Sequence, residues 1–146
     1  MLAMLTSPHL LRRRPRLTIS DQDLARLEAM AANKLSQDPD LANHLLEELG
    51  RARIVPAHKL PRTVAAIGRS VTYHDETADR DRTVTLVFPE NADIASGRVS
   101  VMTPIGVALI GLSEGASFHW ETRAHAIRRL TVLRVAEPRI TELVET

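Results

Sequence analysis

The spacing of apolar residues along the 146-residue chain changes period near residue 60. Before it, Leu24, Leu27, Ala31 and Leu35 recur every three or four positions, which predicts a helix with one apolar stripe. Ser20 stands at its N-cap and Asp23 at N3, and Ile19 with Leu24 forms a hydrophobic staple. Residues 36–38 break the pattern. Asp38 then caps a second helix with Pro39 at N1, where the missing N–H costs nothing. Leu41, Leu45 and Leu49 line that helix, His44, Glu47 and Glu48 lie off the stripe, and Gly50 ends it. So short a turn predicts an antiparallel helical hairpin. About 15 residues in the first helix span roughly 22 Å, a stubby projection with Asp38 and Asp40 at its tip.

After residue 64 the period shortens to two. Residues 70–74 and 83–88 alternate, with Val84, Leu86 and Phe88 on one face, and a charged hairpin loop over 75–81 joins them. Val99 and Val101 begin a third strand. Thr103 as N-cap and Pro104 at N1 then start a short apolar helix over 105–110, and Gly111 supplies the left-handed residue after it. Phe118 and Trp120 point one way on a fourth strand, residues 122–126 turn, and 130–135 form the last, with a bulge at Val132 and Leu133 where alternation slips. These elements predict an α+β chain: a helical hairpin, then an antiparallel sheet with one short helix on a face. Because that helix is apolar on nearly all sides, Ile105, Val107 and Leu109 are expected to meet the hairpin or a partner as well as the sheet.

Four segments follow: a disordered basic arm over 1–16, the hairpin over 17–55, a sheet domain over 62–137 and a tail over 138–146, with residues 51–63 as transition and linker. The arm holds Arg12, Arg13, Arg14 and Arg16 and no acid, while the whole chain has a formal charge of +1. The arm fits a weak nucleic-acid (DNA) contact or tether to an acidic partner, and equally an unstructured tail or an upstream start. A secretory signal has the opposite order of charge and apolar segment, and no apolar run approaches the ~20 residues that span a bilayer. A cytoplasmic location is expected.

Chemistry is sparse. No cysteine is present, and the six histidines form no helical or strand pair with metal-ligand spacing. Gly97, Gly106, Gly111 and Gly115 lack the context of a phosphate loop, and turns and a helix end are their expected roles. Four aromatic residues are too few for a base-stacking platform or an aromatic proline pocket. No nucleophile elbow occurs, so no catalytic residue, metal or cofactor is assigned. Asp38 and Asp40 fit either of two roles: carboxylates offered to a magnesium ion in another protein's site, or a helix cap and a first-turn anion favoured by the helix dipole.

The run Arg98, Val99, Ser100, Val101, Met102, Thr103, Pro104, Ile105, Gly106, Val107, Ala108, Leu109, Ile110, Gly111 and Leu112, closed by Gly115, resembles the signature of the Gre-type transcription elongation factors. Within them it looks most like the branch of nucleoside diphosphate kinase regulators. Gly115-Ala116 stands where the family has Gly-Asp, and residues 122–125 lack its Pro-Gly. The resemblance covers about residues 18–137. It implies an FKBP-like C-terminal domain without an isomerase pocket, and bacterial RNA polymerase as partner near its secondary channel. It also implies a non-enzymatic, monomeric transcription regulator that competes with Gre factors. Asp38 and Asp40 match the tip carboxylates of the longer Gre coiled coil, but a short rod does not reach the catalytic magnesium, so no transcript cleavage is expected. The alternatives are a genuine cleavage factor and an FKBP-type prolyl isomerase.

Overall fold

A computed structural model describes residues 16–121 and 126–137. The arm over 1–15, most of the 122–126 turn, the tail over 138–146 and the direction of the Trp120 side chain lie outside what it describes. Strand β1 (Thr18–Ser20) leads into helix α1 (Asp21–Lys34), a turn, helix α2 (Pro39–Gly50) and strand β2 (Arg53–Val55). The sheet follows: β3 (Ser70–Asp75), β4 (Arg80–Val87), β5 (Arg98–Ser100), helix α3 (Pro104–Leu109), β6 (Ser117–Glu121) and β7 (Ile127–Ala136).

Both hairpin helices start where their caps stand. The Ser20 hydroxyl accepts from the Asp23 N–H at 3.1 Å, and the Asp38 carboxylate from the Leu41 N–H at 3.2 Å. Leu27, Ala31, Leu45 and Leu49 are buried, so the apolar stripes face inward. Glu48 departs from the expected surface position. It is buried at 1% exposure, with Arg51 reaching its carboxylate at 3.0 Å, because a charge at this depth needs a cationic partner. The segment expected to be transition contains β2, which pairs in parallel with β1. Three-residue strands are too short to show a period.

The five-stranded sheet has the order β5-β4-β3-β7-β6. The expectation of an antiparallel sheet is corrected at its edge, since β5 runs parallel to β4. The chain between them, with 3-10 turns at Pro89–Asn91 and Ile94–Ser96, carries β5 back to the same end instead of reversing it. The bulge lies where alternation slips. Thr72 faces Arg134 and Tyr73 faces Val132, so Leu133 is the extra residue, and it is exposed. Asp75, expected in the loop, ends β3 on the buried side and accepts from the Thr77 N–H at 2.9 Å and from Arg128 at 3.1 Å.

One hydrophobic cluster joins the hairpin to the sheet, from Leu17, Ile19, Leu27 and Leu45 through Leu109 and Ile110 to Val71, Leu86 and Val132. Its centre is α3. The Thr103 hydroxyl caps it, accepting from the Gly106 N–H at 3.1 Å, and Gly111 follows with φ 84°. Gly97 and Gly115 also take positive φ, as turn residues do. Gly106 differs from the expected turn or helix-end role. It sits inside α3, where a Cβ would lie 2.3 Å from the Ser100 carbonyl oxygen and 2.6 Å from Val101 Cα. Those neighbours are backbone and cannot rotate away. Gly106→Ala is expected to cost about 3 kcal/mol of unfolding free energy, measured by chemical denaturation, with the hairpin and sheet losing structure in one transition.

Candidate interaction surface

The hairpin is short and its base is held. α1 has 14 residues and α2 has 12, so the longer helix spans about 21 Å. The backbone N–H of Thr18 donates to the Gly111 carbonyl at 3.0 Å, and a Cβ on Gly111 would come within 2.8 Å of Leu17 Cβ. The entry strand therefore lies directly on the end of α3. On the α1 side, the Arg26 guanidinium sits 3.6 Å from the Phe88 ring centroid and pairs with Glu90. On the α2 side, the His44 ring stacks on Phe118 at 5.5 Å between centroids. The ion pair is exposed and contributes little by itself; with the cation–π contact the Arg26 clamp contributes roughly 1–2 kcal/mol. Together with the β1 seat, these contacts set the direction in which the hairpin points.

At the tip, Asp38 is engaged with the Leu41 N–H and Asp40 is exposed in the first turn of α2. The capping geometry is therefore present for Asp38. Among the described residues, no group of three or more His, Cys, Asp or Glu side chains could hold a metal ion. Val107 and Leu109 are buried at 2% and 0% exposure, while Ile105 is half-buried and packs against the core. The chain's own hairpin lies against this helix. Of the four arginines in the basic arm only Arg16 is described; it is exposed, and its Nε donates to the Arg51 carbonyl at 3.2 Å. Arg12, Arg13 and Arg14 lie outside the described residues.

Other features emerge only in three dimensions. A cleft of about 420 Å³ lies where the start of α1 meets the sheet, lined by Ser20, Asp23, Ile67, Arg69 and Glu137 among others. Burial raises the Asp23 pKa above the usual carboxylate value, against the opposing pull of the Ser20 hydrogen bond. The Arg69 guanidinium in its wall is committed to the Glu137 carboxylate at 2.7 Å and to the carbonyls of Pro61 and Val64 at 2.6 and 2.8 Å. That guanidinium ties the expected linker to the start of β3. The clamp residues Arg26, Phe88, Glu90, His44 and Phe118 carry no sequence signal of their roles, since each is paired through tertiary packing.

Family models match two segments of the chain. Residues 60–137 match the model described as transcription elongation factor, GreA/GreB, C-term, and residues 15–55 match Rnk N-terminus. The chain belongs to the GreA/GreB family. A regulator of nucleoside diphosphate kinase from Escherichia coli (strain K12) is 30% identical over 122 residues, covering 84% of this chain and 90% of that protein. The transcription elongation factor GreA of Brucella anthropi is 37% identical over 73 residues, covering 50% of this chain but 46% of that GreA. A solved structure, prokaryotic transcription elongation factor GreA/GreB from Nitrosomonas europaea, superimposes with a TM-score of 0.64 at 29% identity. It covers 84% of this chain and 99% of that one. The similarity to the regulator of nucleoside diphosphate kinase thus runs over more of both chains than the similarity to GreA. No helix among the described residues is long and apolar enough to cross a membrane.

His74 supplies a local electrostatic test of the sheet's open end. Its Nδ1 lies 2.7 Å from Asp81 and its Nε2 3.3 Å from Asp79. The hydrogen bond to Asp81 raises its pKa above the ordinary histidine value of 6.5, reinforced by the nearby carboxylates. A histidine with a raised folded pKa contributes stability that is present below the unfolded value and lost as pH rises through the folded one. An NMR titration is expected to place the His74 midpoint above 6.5, and Asp81→Asn to lower it.

Proposed function

We propose that this protein is a transcription regulator that binds bacterial RNA polymerase and competes there with Gre factors without stimulating transcript cleavage. Residues 62–137 act as an FKBP-like docking domain that has no isomerase activity, and residues 17–55 form the short coiled-coil unit. Residues 1–16 and 138–146 flank them as arm and tail. The docked domain places the hairpin at the entrance of the secondary channel. Asp38 and Asp40 face the channel wall at the tip, and Ile105 is the part of α3 left for a partner to touch. The protein acts as a cytoplasmic monomer and needs no cofactor, and Arg12 to Arg16 add a weak nucleic-acid contact.

The observation that carries this reading is the length of the hairpin, with helices of 14 and 12 residues. A rod of about 21 Å that starts at the channel mouth ends short of a deeply buried catalytic magnesium. The Asp38 carboxylate is in addition engaged with its own helix. The similarity to a regulator of nucleoside diphosphate kinase over 84% of the chain supports the regulator assignment. An effect on that kinase then follows indirectly, through expression.

Displacement of a fluorescently labelled Gre factor from core RNA polymerase tests the proposal. The protein is expected to displace it in a concentration-dependent way, and stalled elongation complexes are expected to release no short 3′ RNA fragments. Failure to displace would remove polymerase as the partner, and fragment release would make the protein a cleavage factor.

A further inference from the structure

Ile94 is 88% exposed, far above every other large hydrophobic residue among those described; the next, Ile127, is 58% exposed. It does not hang on a loose loop. Asp93 and Arg98 exchange backbone hydrogen bonds of 2.9 Å in both directions across the turn. The Ser96 hydroxyl donates to the Asp93 carboxylate at 2.7 Å, and Gly97 closes the turn in the left-handed region at φ 75°. Ala92 and Ala95 beside it are exposed and too small to shield it. The turn thus holds a branched aliphatic side chain out into water on a preorganised backbone. An anchor of this kind loses little conformational entropy on binding.

The hairpin to which this loop is tied is acidic. Residues 21–50 carry seven acidic and two basic side chains, a formal charge of −5 in a chain whose total is +1. One of the two cations, Arg26, is paired with Glu90. That same pair joins the hairpin to the loop bearing Ile94. Ile94 is four Cα steps along the chain from Glu90, a span of at most about 14 Å. Asp21 and Glu28 on α1, and Glu47 on α2, are exposed.

We propose that Ile94 and the flank of the acidic hairpin form one interaction surface, which fits a basic protein surface containing an apolar socket. The partner's identity rests on the reading above: the surface is that of RNA polymerase at the channel entrance. The roles divide physically. The hairpin's charge steers the encounter and makes association salt-dependent. Ile94, once desolvated in its socket, holds the complex and sets the dissociation rate.

The test measures association and dissociation of the intact protein on immobilised core RNA polymerase over a range of salt concentrations. Ile94→Ser is expected to weaken binding about tenfold or more, mainly through faster dissociation, with the salt slope and the thermal midpoint unchanged. Ile94→Leu should restore binding to within a few-fold of the original chain. The double variant Glu28→Gln with Glu47→Gln should slow association and flatten the salt dependence. If Ile94→Ser binds within twofold of the original while that chain binds well, the anchor is overturned and the polymerase reading stands. If the original chain does not bind, both fall. If sedimentation shows a dimer that Ile94→Ser dissociates, a second copy occupies the knob and the proposal is overturned.

Discussion

The close approach of α3 to the chain on either side of it is the constraint on which the rest of the structure depends. At Gly106 the helix backbone lies against the Ser100 and Val101 backbone, nearer than any side chain allows. At Gly111 the chain turns with positive φ, receives the Thr18 N–H on its carbonyl and leaves room for Leu17 and Ile19. The Gly111 N–H in turn donates to the Ala65 carbonyl at 2.8 Å. Two glycines thus let one short helix touch the edge strand, the entry strand and the start of the sheet domain together. The hydrophobic cluster that results has no gap between hairpin and sheet.

A hairpin seated in this way has a defined direction. Its two helices are gripped by different parts of the sheet domain: α1 by the chain after β4 through Arg26, Phe88 and Glu90, and α2 by β6 through His44 and Phe118. A rotation of the hairpin about its base would break both contacts and open the cluster around Leu17 and Ile19. Each clamp is weak, but they act on opposite helices of a rod whose root is already buried. The tip carboxylates are therefore presented at a fixed position, which a regulator needs if it works by occupying space and not by chemistry.

Charge is divided along the same line. Acidic residues gather on the hairpin, while the chain outside it is basic in balance. Where charge is buried it is answered: Glu48 by Arg51, and Asp75 by Arg128 and by backbone N–H groups of its own turn. The excess acidity is thus a property of the exposed hairpin flank, where it acts on a partner's approach more than on the stability of the fold.

The sequence by itself determined the helix starts, the exit from α3 and the bulge in the last strand. Ser20, Asp38 and Thr103 start their helices by accepting backbone N–H groups three residues on, and Gly111 leaves α3 in the left-handed region. The slip in alternation at Val132 and Leu133 marked the bulge, because strand faces follow strict two-residue periodicity. Tertiary structure alone decided the parallel course of β5, the β1–β2 ladder, the burial of Glu48 and the packing role of Gly106. It also decided which residues grip the hairpin and that Ile94 stands clear of the core. For the seat and grip of the hairpin the reason is separation along the chain. Pairings such as Thr18 with Gly111 or Arg26 with Glu90 join residues more than sixty positions apart, and no local pattern encodes which distant surface a helix flank will meet.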